Sequence, residues 1–131
     1  MSKPRPIDYA DASADVRAVY DEIKAARGVP DVNNFWKYLA NDPAGLRRTW
    51  ESLRQVMGPG ALPPVVKEMI YLAVSVTNAC DYCIASHGAA AAKAGMTPEM
   101  FAELMAIVGM ANETNRLAAG YRVPVDPMFE G

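Results

Sequence analysis

Proline stands at the head of three apolar runs in this 131-residue chain: Pro43 after Asp42, Pro64 after Pro63, and Pro98 after Thr97. In the first turn of a helix the missing N–H of proline would be unpaired anyway, and its fixed φ suits the helical start. Each run that follows repeats its apolar residues at helical spacing, and no stretch alternates apolar and polar residues for any length. The chain is therefore expected to be all-α, a single-domain helical bundle of about six helices spanning 1–131. Its core should occupy about 35–120, with an extended tail over 121–131.

The other punctuation agrees. SADVRAVYDEIKAARG (13–28) puts Val16, Val19, Tyr20 and Ile23 on one face, with Ser13 to cap the start and Gly28 to end it. FWKYLAN offers one or two turns. Asp42 is a candidate N-cap for a helix running to about Met57, with Leu46, Trp50 and Leu53 facing in. GPGALPP (58–64) is a break. KEMIYLAVSVTNA is apolar on most sides and is expected to be a buried central helix. A further helix runs from near Cys80 through IASHGAAAAKAG to Gly95, with a face of Ala, Ser and Gly that admits close backbone approach. Thr97, Pro98 and Glu99 start the last one, which continues through NRLAAG with room for a bend at Gly109. Trp36, Trp50 and the 8 methionines read as core or interface filling.

Both cysteines and the only histidine lie in NACDYCIASHG, as Cys80, Cys83 and His87. Cys83 and His87 are four residues apart and share a helix face one turn from each other. An imidazole there can take the thiol's proton, which a free cysteine of pKa about 8.5 mostly keeps at neutral pH. Cys80, at the expected helix start, gains from the helix dipole. If the two helices form a hairpin turning near Ala79, His87 falls opposite Tyr71. Glu68 is then one turn away, on the order of 5 Å along the axis. A carboxylate there can orient the imidazole, as the third member of a triad does. Ser75 and Asn78 are candidates for hydrogen bonds near the centre or for satisfying a helix end. Tyr82 reads as a packing or lid residue over the thiols, and Asn115 and Arg116 as residues of a subunit contact. A zinc site competes with the redox reading, since two thiolates, an imidazole and the Glu68 carboxylate could complete a tetrahedron. No second Cys-x-x-Cys supports it.

Glu68, the CDYC centre and His87 at these spacings resemble the alkylhydroperoxidase D/carboxymuconolactone decarboxylase superfamily, in particular its small peroxidase-related members. VVKEMIYLAVSVTNACDYC, NRLAAG, DVRAVYDEI and NDPAGLRRTW extend the resemblance from about Ile7 to Val125. It implies an alkylhydroperoxidase D-like fold and a thiol-dependent peroxidase acting on organic hydroperoxides or hydrogen peroxide. Cys83 matches the attacking cysteine, Cys80 the one that closes a disulfide with it, and Glu68 and His87 the proton relay. No cofactor or metal is implied. The implied partners are an external dithiol reductant, dihydrolipoamide-type or thioredoxin-like, and further copies of the chain in a trimer or hexamer. Two departures stand out: Tyr82 replaces a histidine of the best-known member, and the chain holds a single copy of a repeat found twice there. A general disulfide oxidoreductase and a redox-sensing oligomeric scaffold are the alternatives. A decarboxylase-type lyase fits the cysteine pair less well.

A net charge of −2 gives no basic footprint for nucleic acid. The opening MSKPRPIDYAD lacks the apolar core of a signal peptide, and runs such as MIYLAVSV are too short to span a bilayer. The expectation is a cytoplasmic protein, where Cys-x-x-Cys is more often catalytic or metal-binding than a permanent crosslink. The tail is expected to lie over a neighbouring subunit.

Overall fold

The structure is a computed structural model that describes residues 2–131. Among these residues every regular element is helical, with six α-helices and two short 3-10 turns. They fall into two compact units, one ending at Gly58 and one running Pro59–Gly131.

The first unit holds a 3-10 turn, Tyr9–Asp11, then α1 (Ala14–Arg27), α2 (Asn34–Leu39) and α3 (Pro43–Met57). Ser13 Oγ accepts the Val16 N–H at 3.3 Å, which pairs one of the four N–H groups a helix start leaves open. At the other end Gly28 takes φ 63°, so that the Val29 N–H reaches back to the Lys24 carbonyl at 3.2 Å. A side chain at that φ would be strained. Val16, Val19, Tyr20 and Ile23 form the buried face of α1, against Trp36 of α2 and Leu46 and Trp50 of α3. Leu53 is partly buried against the same cluster. The two indoles meet edge to face at 5.7 Å, an arrangement worth about 1 kcal/mol beyond its buried area.

Polar groups in this core are paired. The buried Tyr20 donates its hydroxyl to the Ile7 carbonyl at 2.7 Å, and burial pushes its phenol pKa up. Trp50 Nε1 donates to Glu22 at 3.2 Å, and Arg47 binds both oxygens of the same carboxylate at 2.7 and 2.9 Å. Lys37 bridges Asp8 at 2.9 Å and Asp31 at 2.8 Å. Asp42 occupies the N-cap position of α3, but its side chain makes no capping bond. Its carbonyl accepts the Leu46 N–H instead, and Pro43 supplies the helical start.

The second unit holds α4 (Pro64–Thr77), α5 (Asp81–Lys93), α6 (Pro98–Tyr121) and a 3-10 turn, Pro127–Phe129. α4 and α5 pack as an antiparallel hairpin, and α6 packs on α4. The alanine-rich face of α5 brings Ala91 into full burial. Thr97 Oγ1 caps α6 through the Met100 N–H at 3.1 Å, and the helix runs unbroken past Gly109. Two expectations are corrected here. α4 is not buried on most sides: only Leu72 and Ser75 are, while Ile70 and Val74 stand 50% and 54% exposed, because two neighbouring helices cover only part of an apolar cylinder. The tail is not wholly extended, since Pro127 starts a short turn. No helix among the described residues is long and apolar enough to cross a membrane.

The Arg47 guanidinium, by hydrogen bonding first, holds the Glu22 carboxyl below its ordinary 4.5. A carboxyl lowered in the folded state adds stability above its ordinary pKa and loses it as pH falls through the lowered value. The difference in melting temperature between wild type and Glu22→Gln should therefore be largest near neutral pH and shrink steadily below about pH 4.5. A difference independent of pH in thermal melts would show that the ion pair contributes nothing.

Candidate active site

The site is built at the join of α4 and α5. α4 ends in a left-handed turn: Ala79 takes φ 54°, its N–H donates to the Val76 carbonyl at 3.1 Å, and the Cys80 N–H donates to the Ser75 carbonyl at 3.0 Å. This pair of bonds satisfies the last carbonyls of α4. Glycine is usual at such a position, and alanine there costs about 1 kcal/mol.

Cys80 belongs to both helices. Its N–H closes α4, its carbonyl accepts the Ile84 N–H at 2.9 Å, and its Sγ accepts the Cys83 N–H at 3.3 Å. It is thus the N-cap of α5, with sulfur in the place of the usual hydroxyl or carboxylate oxygen. The cap fixes Cys83 three residues on with a Cα–Cα distance of 5.3 Å, inside the range a disulfide spans, and the two sulfurs are bonded. The structure is therefore that of the oxidised centre.

His87 lies one turn beyond Cys83 on the same helix. Across the hairpin Glu68 Oε2 stands 2.7 Å from His87 Nδ1, and both side chains are mostly buried. An ionised carboxylate only accepts, so Nδ1 carries the proton and Nε2 remains as the ring's acceptor while the imidazole is neutral. Tyr71, between them in sequence, stacks its ring on the imidazole at 3.6 Å between centroids and 18° between planes. The juxtaposition of Tyr71, Glu68 and His87 is the one obtained by counting outward from a turn at Ala79. Glu68, however, lies just past the first turn of α4, which holds no acid, so the helix N-terminus is not its partner.

The remaining candidates divide. Ser75 is buried and supports the centre indirectly: its hydroxyl donates to the Tyr71 carbonyl at 2.7 Å while its own carbonyl holds Cys80. Asn78 ends α4 through its backbone N–H to Val74. Tyr82, in the first turn of α5, is 43% exposed. Asn115 and Arg116 are exposed on the far part of α6 and do not join the cluster. Two contacts had no role in the sequence reading. One is the Tyr71 stack, which the hairpin count located but did not interpret. The other is the bond from Asn112 to Thr77 at 3.1 Å, which ties α6 to the end of α4 and has no sequence signal. Among the described residues no three His, Cys, Asp or Glu side chains are grouped to hold a metal ion, and sulfurs bonded to each other are not thiolate ligands.

The chain is similar to the crystal structure of an alkylhydroperoxidase AhpD core from Rhodospirillum rubrum, at 52% identity and a TM-score of 0.92, over 98% of this chain and 97% of that one. It is 34% identical over 65 residues, 50% of its length, to an uncharacterized protein of Cupriavidus necator, and spans 58% of that relative. The Carboxymuconolactone decarboxylase family matches residues 43–126, well over half of the sequence, including α4, the cysteine pair, His87 and all of α6. With that match, the chain belongs to the carboxymuconolactone decarboxylase family.

Proposed function

We propose that this protein is a thiol-dependent peroxidase that reduces organic hydroperoxides or hydrogen peroxide through a Cys80–Cys83 disulfide cycle. The observation that carries the reading is a bonded cysteine pair at the start of α5, one turn before a histidine whose Nδ1 is held by Glu68 at 2.7 Å. The similarity to an alkylhydroperoxidase core supports it, and the alignment of 98% of the chain with one solved chain supports its acting as one domain.

In the reduced protein His87 Nε2 takes the proton of the Cys83 thiol. The thiolate sulfur attacks the outer oxygen of the peroxide; an S–O bond forms, the O–O bond breaks, and the departing alkoxide receives a proton to leave as the alcohol. Cys83 is now a sulfenic acid, oxidised by two electrons. Cys80 sulfur attacks it, the S–S bond forms, and hydroxide leaves and is protonated to water. An external dithiol then returns both cysteines to thiols and becomes a disulfide itself. Glu68 keeps one tautomer of His87 and stabilises the imidazolium that forms midway. Tyr82 stands where the best-known member of the superfamily that the sequence resembles has a histidine of the relay, and offers a hydroxyl hydrogen bond there.

Thiol–disulfide exchange without peroxide is the second reading, favoured by one observation. The Cys83 N–H against Cys80 Sγ stabilises a thiolate at Cys80, which any exchange partner would use. Rates with an alkyl hydroperoxide and with a small disulfide, measured side by side, separate the two. Cys83→Ser should abolish peroxide consumption, and Glu68→Gln should slow it by about tenfold or more with the melting temperature little changed. Peroxide turnover surviving in Cys83→Ser would end the assignment.

We also propose that the chain self-associates. Ile70 and Val74 form an i, i+4 apolar pair on α4, and Ile107 and Met110 a second pair on α6, all at least half exposed. Exposed apolar surface on this scale is what a copy of the same chain would cover. Light scattering should give several chain masses for the wild type and a single one for Ile70→Glu; a monomeric wild type would refute it.

A further inference from the structure

Tyr71 has no part in the relay just described, yet its ring stacks on that of His87. A hydrogen bond at Nδ1 alone fixes one atom of the imidazole. It leaves the ring free to tilt about the Nδ1···O line, and once that bond opens, a half turn about the Cβ–Cγ bond exchanges Nδ1 with Cδ2 and Nε2 with Cε1. At 3.6 Å and 18° the phenol and imidazole are in van der Waals contact over their faces. An imidazole turned edge-on would run into the phenol, so the half turn is blocked while the stack persists.

The backbone that carries the phenol is tied to the join of the two helices. Tyr71 is three residues past Glu68 on α4, which puts both on the face turned to α5. Its carbonyl accepts the hydroxyl of the buried Ser75 at 2.7 Å, and the Ser75 carbonyl accepts the Cys80 N–H at 3.0 Å. Three constraints thus meet on one ring: Glu68 selects the edge, Tyr71 the plane, and the backbone of α5 its distance from Cys83.

We propose that Tyr71 is a positioning residue for the redox centre, holding His87 in the single orientation that gives Nδ1 to Glu68 and leaves Nε2 as the base. The face of the ring is what acts, so phenylalanine should substitute and an aliphatic side chain should not. This inference rests on the peroxidase reading for its kinetic consequence and on the geometry alone for its structural one.

Because the chain has one histidine, its ring nitrogens give one pair of resonances. Long-range proton–nitrogen correlation of the reduced protein, on the alkaline side of the imidazole titration, should show a protonated Nδ1 and an unprotonated Nε2 in the wild type. In Tyr71→Leu the two shifts should converge as the tautomers mix. kcat with an alkyl hydroperoxide should fall by about tenfold with KM unchanged, a share of the roughly 10² or more that a positioned base supplies. Alkylation of Cys83 by iodoacetamide should slow in parallel. Tyr71→Phe should restore the wild-type shifts and rates. Circular dichroism checks the fold, and Tyr71→Met serves as the second variant lacking a ring face. The proposal is overturned if Tyr71→Leu or Tyr71→Met keeps the wild-type nitrogen pattern, or if Tyr71→Phe is as altered as they are. A wild type that turns over no peroxide would remove the peroxidase reading instead, and the nitrogen shifts and alkylation rates would still decide for or against Tyr71.

Discussion

The hydrogen bond from the Cys80 N–H to the Ser75 carbonyl is the constraint on which the site depends. It ends α4 within three residues of the first turn of α5, so that the hairpin has no slack at its join. With Ala79 held at φ 54°, Cys80 is brought to the N-cap of α5 and Cys83 to its first turn. Positions equally far from the turn then face each other. Glu68 and Tyr71 on one helix meet His87 on the other because α-helical rise is the same on both. A looser connection would leave the register of the two helices undetermined, and with it the 2.7 Å contact of Glu68 and His87.

The same join places the two sulfurs differently. Cys80 Sγ sits at the N-cap of α5, where it accepts the Cys83 N–H at 3.3 Å, and Cys83 lies one turn before His87 on the same helix. In the peroxidase cycle we propose, that difference suits Cys83 to attack and Cys80 to resolve. The small side chains of α5 serve this arrangement: Ala91 is fully buried, and a larger residue there would overpack its surroundings.

Much of this was legible in the sequence because it depends on local signals. Ser13, Gly28, Pro43, Pro64, Thr97 and Pro98 mark the helix boundaries, and the spacing of Val16, Val19, Tyr20 and Ile23 marks the core of the first unit. The facing of Glu68, Tyr71 and His87 followed from a count across Ala79. What was not legible depends on packing between elements. Nothing in KEMIYLAVSV says which stripe α5 and α6 will cover, so the exposure of Ile70 and Val74 could not be read from its hydropathy. The stack of Tyr71 needed ring orientations, and the Asn112–Thr77 bond needed the placement of α6. Asp42 looked like a side-chain cap by residue type, but its carboxylate makes no capping bond.

If Cys80 and Cys83 form the redox centre we propose, a peroxide oxidises them directly. The first measurement to make is the mass of the reduced protein, native and denatured, before and after one equivalent of an alkyl hydroperoxide. The expected result is a metal-free chain that loses two hydrogens, both located by digestion to the peptide holding Cys80 and Cys83. A reduced protein whose mass the peroxide leaves unchanged, or one whose thiols are held by a bound zinc ion that blocks the oxidation, would contradict it.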